Sequence, residues 1–86
     1  MKQKHHSEIF HFTVGQLIEV LQTFHPDLPV LTSGYESGFE NFYRPDIVHL
    51  KHEPENPYYE GEFQVADDNQ KGTFQAVVLQ RVLRDD

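Results

Sequence analysis

From Phe12 to Phe24 the apolar residues recur at helical spacing. Val14, Leu17, Ile18, Leu21 and Phe24 fall on one stripe, and Gln16, Glu19, Gln22 and Thr23 fall mostly off it. Thr13 stands where an N-cap belongs, because its hydroxyl can accept from a first-turn amide. Gln16, three residues on, completes a capping-box pattern, and Phe12 is spaced to pack on Leu17 as a hydrophobic staple. Pro26 disfavours helical geometry at His25, so the helix is expected to stop near Phe24 or His25. Pro26 and Pro29 bracket a stiff corner, and Val30-Leu31-Thr32-Ser33 reads as a short strand returning beside the helix.

Beyond that corner the period changes to two. Asp46 to His52 alternates so that Val48 and Leu50 share a core face while His49 and Lys51 face out, with Ile47 partly covered. Pro45 marks the start of this strand or a sheet edge. Glu53-Pro54-Glu55-Asn56-Pro57 reads as a turn. Tyr58 to Val65 reads as a strand with Gly61 at a bulge or close approach. Residues 67–72 form a polar connection of hairpin length. Thr73 to Leu83 closes the chain, and Ala76 to Leu79, apolar on both parities, predicts an inner strand. Ile9 to Val14 alternates imperfectly and suggests a brief extended segment. Residues 1–8 are polar and without period, and are expected to be a disordered tail. The pattern predicts an α+β domain over residues 9–86. One main amphipathic helix packs on one face of a mainly antiparallel sheet of about four strands.

Between the first strand and the rest lies Ser33-Gly34-Tyr35-Glu36-Ser37-Gly38-Phe39, a two-glycine loop. Gly34 and Gly38 allow positive φ there, and Ser37 suits a turn. The runs Thr-Val-Gly-Gln-Leu-Ile-Glu-Val-Leu, Pro-Asp-Leu-Pro-Val-Leu and Ser-Gly-Tyr-Glu-Ser-Gly-Phe-Glu together resemble a small bacterial protein family, some of whose members are carried in prophages. The likeness covers residues 12–40 and is looser beyond, where Ala-Val-Val-Leu at 76–79 also resembles it. It implies a bacterial, cytoplasmic origin. It brings no activity and no catalytic residue, because the family has no established function.

Composition narrows the choices further. At 86 residues the chain is near the small end for independent folding, and seven Phe and four Tyr supply much of its core material. With no cysteine, disulfides and thiolate zinc sites are excluded. The longest apolar run, Ala76 to Leu79, is far short of the roughly 20 residues of a membrane span, and no apolar leader follows the basic start. A cytoplasmic protein without a membrane partner is expected. Net charge is −7, and residues 36–68 carry nine acids against Arg44 and Lys51. That acidic middle argues against a nucleic-acid partner, which needs a cationic footprint.

No reactive constellation emerges. His49 and His52, three apart on a strand, fall on opposite faces. His52 with Glu53 and Glu55 has no zincin or EF-hand spacing, and residues 34–38 lack the lysine of a phosphate loop. No G-x-S-x-G elbow is present. No catalytic residue, metal site or cofactor is therefore assigned. The better hint is aromatic: Tyr35, Phe39, Phe42, Tyr43, Tyr58 and Tyr59 lie in turns or at strand starts, as interface residues do, and the candidate surface is Tyr35, Glu36 and Phe39 flanked by Tyr43, Tyr58 and Tyr59. The expected function is a non-enzymatic protein-interaction module, self-associating or docking on another protein. Two alternatives stand beside it. One is an acidic antagonist that imitates nucleic acid, which requires the acids of 36–68 in rows on one face. The other is a small hydrolase or ligand-binding domain, which requires His49 or His52 beside a carboxylate in a cleft.

Overall fold

The computed structural model describes residues 9–84, so the expected tail at 1–8 lies outside the described residues. The element order is α1 (Val14–Leu21), β1 (Thr32–Ser33), β2 (Phe39–Glu40), β3 (Asp46–His52), β4 (Phe63–Val65) and β5 (Thr73–Val78). The class is α+β, with a two-stranded sheet β1-β2 and a three-stranded sheet β4-β3-β5, both antiparallel. The chain divides between Val30 and Leu31 into two compact units, which are described separately.

The first unit holds α1. Its start follows the expected chemistry: the Gln16 amide donates to Thr13 Oγ1 at 3.2 Å, and the Thr13 amide donates to Gln16 Oε1 at 2.9 Å. The helix ends earlier than Pro26 alone would end it. Gln22 is the C-cap, and the Thr23 and Phe24 amides turn back onto the Val20 and Leu21 carbonyls. The Thr23 hydroxyl also donates to the Val20 carbonyl at 2.7 Å, a local bond that competes with continued helix. Ile9 is helical rather than part of an extended segment, and no strand precedes α1 among the described residues. On the apolar stripe Val14, Ile18 and Leu21 are 57%, 49% and 44% exposed.

The second unit is organised around residues 39–52. β3 has the bounds its alternation predicts, and it, rather than 76–79, is the inner strand of its sheet. Asp46 to Lys51 pairs with Val78 to Thr73, and Leu50 to His52 with Val65 to Phe63. The 67–72 connection is therefore not a hairpin, because β4 and β5 lie on opposite sides of β3 and never pair with each other. A connection of hairpin length permits direct pairing, but length does not say which neighbour a strand takes. The expected strand from Tyr58 shortens to Phe63–Val65. Tyr58 and Tyr59 instead occupy the corner of a turn closed by the Glu60 amide on the Pro57 carbonyl at 3.0 Å.

The ladder between β3 and β5 continues past Pro45. Phe42 bridges Arg81, with the Tyr43 amide on the Gln80 carbonyl at 2.9 Å and the Val82 amide on the Asn41 carbonyl at 2.8 Å. Between the Asp46–Val78 and Phe42–Arg81 pairs one strand has three residues and the other two, so Tyr43-Arg44-Pro45 holds a one-residue bulge. Pro45 has no N–H to give the ladder, which suits it to that place. Beyond the bridge, Arg84 reaches Glu40 through Nε at 3.1 and 3.2 Å and Nη2 at 3.0 Å.

The register gives the three-stranded sheet two unlike faces. Val48, Leu50, His52, Phe63, Val65, Phe74, Ala76 and Val78 share one, and Ile47 and Val77 join His49, Lys51, Gln64, Thr73 and Gln75 on the other. On the apolar face the Phe63 ring stacks on His52 at 5.1 Å and meets Phe74 edge-on at 5.9 Å. These residues are half-buried, and no described residue is fully buried.

Candidate interaction surfaces

Tyr35, Glu36 and Phe39 sit on the β1–β2 hairpin. The Gly34 amide donates to the Gly38 carbonyl at 2.8 Å, and the Gly38 amide to the Tyr35 carbonyl at 3.2 Å, so Glu36 and Ser37 form the corner. The glycines do not take positive φ here; Glu36 does, at 57°. A side chain in the left-handed region costs on the order of 1 kcal/mol, so this corner stores strain at the tip of the hairpin. Gly34 is needed for proximity instead. A Cβ there would lie 2.9 Å from Glu40 Cγ and 3.3 Å from the Gly38 carbonyl. The hairpin presents Tyr35 at 76% and Phe39 at 71% exposure.

Tyr58 and Tyr59 belong to the β3–β4 connection. The Glu53 amide closes it on the Glu62 carbonyl at 2.7 Å, and Asn56 Nδ2 ties it to the Gly61 carbonyl at 3.1 Å. Pro54 takes the second position of a turn from Glu53 to Asn56, where its fixed φ fits. Gly61, at φ 82°, has the positive φ that the return to β4 needs. At the tip the two tyrosine rings meet edge to face at 5.4 Å. The 39–52 segment separates this turn from the hairpin, so Tyr35, Glu36 and Phe39 lie at one end of it and Tyr58 and Tyr59 at the other. Tyr43, exposed at the bulge, stands on the hairpin side.

The histidines do not converge. His49 and His52 are on opposite faces of β3, as their spacing predicts. Thr73 gives its single hydroxyl hydrogen to the Gln70 carbonyl at 2.9 Å, so His49 Nε2, 2.6 Å from Thr73 Oγ1, donates to that hydroxyl oxygen. His52 Nε2 lies 2.7 Å from Glu62 Oε2 and donates to it. The carboxylate beside His52 is thus Glu62, supplied by β-pairing, while Glu53 turns to Lys51 at 3.2 Å. Among the described residues no group of three or more His, Asp or Glu side chains is placed to hold a metal ion.

The acids of 36–68 are dispersed over the hairpin, the start of β3, the β3–β4 connection and the turn before β5, with Glu40, Glu53 and Glu62 each paired to a base. Glu40 raises the pKa of Arg84, first through the hydrogen bond and then through charge attraction. Among the described residues no helix is long and apolar enough to cross a membrane. The chain matches no protein-family model, no curated protein and no solved structure. Sequence reasoning did not find the Glu62 carboxylate beside His52, because the pairing of β3 with β4 is not written in local spacing.

Proposed function

We propose that this protein is a non-enzymatic protein-interaction module, cytoplasmic and of bacterial origin, that self-associates or docks on another protein. One observation carries the reading. Twenty large apolar or aromatic side chains of the described residues stay exposed, and none of the described residues is buried. Soluble monomers rarely keep large apolar patches open, and an amphipathic helix is a normal groove-binding element. The aromatic hairpin tip and the Tyr58–Tyr59 turn add exposed aromatic side chains of the type enriched at interfaces.

The test uses the purified chain alone and as bait in lysate of its native host. Stoichiometric self-association or a specific captured protein is expected. Ile18→Glu combined with Leu21→Glu is expected to weaken capture of a partner that covers α1 by a hundredfold or more, on the order of two buried aliphatic contacts. A chain that folds, stays monomeric and captures nothing overturns the reading.

A further inference from the structure

We draw no further inference here: the strongest candidate, the uncharged edge strand β5 (Thr73–Val78) of the three-stranded sheet, carries nothing because nothing in the structure shows what covers its outer edge.

Discussion

At the scale of single residues, the glycines separate by what surrounds them. Gly34 closes the hairpin against Glu40 and Gly38, and an added methyl would have to displace backbone at 3.3 Å. Gly34→Ala should cost about 1–3 kcal/mol, the range for an overpacked site, read as a lower urea midpoint. Gly15 is the opposite case. It lies within α1, and a methyl added there would meet nothing within 4 Å, so Gly15→Ala should add about 0.5–1 kcal/mol through helix propensity. If the two substitutions moved the midpoint in the same direction, the assignment of Gly34 to close approach would fail. Thr13 was readable from sequence because a capping box needs only two residues three apart. The conformation of Glu36 was not, since glycine is the usual occupant of positive φ and the sequence offers two glycines beside it.

At the scale of elements, the bulge at Pro45 lets one strand serve two pairings. Before it β2 pairs with β1 and residues 41–43 pair with 80–82; after it β3 holds β4 and β5. The Arg84–Glu40 pair anchors the far end of the C-terminal segment. The Arg84 side chain is largely exposed, so its worth lies in positioning the segment more than in stability. Arg84→Gln is expected to speed amide exchange at Val82 while leaving exchange at Leu50 unchanged; equal effects at both sites would deny the anchor. The pH sign follows from the raised pKa. Whatever Arg84 contributes is complete below the ordinary arginine pKa and is lost only as pH rises through the higher folded value. On the alkaline side, exchange at Val82, corrected for its intrinsic rate, should therefore show no loss of protection up to about pH 10.

At the scale of the whole molecule, the open apolar surface sets the behaviour. With no described residue fully buried, less apolar area is removed from water than in a close-packed core to oppose the conformational entropy of 86 residues. Association that covers this surface raises stability by mass action. The urea midpoint should therefore climb with chain concentration, by about 1.4 kcal/mol of unfolding free energy for each tenfold increase in a saturating partner. A midpoint independent of concentration over about two decades would mean that the chain does not stabilise itself by association.

Local rules determined the start of α1, the bounds of β3, the turn at Pro54 and the opposite placement of His49 and His52. Each depends on residues within a few positions, where capping geometry, fixed proline φ and a side-chain period of two leave little choice. Tertiary structure alone decided that β3 is central, that β4 and β5 flank it, and that Glu62 stands beside His52. Strand order joins residues far apart in sequence, and alternation names the face of a side chain without naming the neighbour across the ladder. The same limit applies to the apolar stripe of α1 and the edge of β5. Their hydrophobicity is written in the chain, but whether water or another protein covers them is set only when the pieces meet.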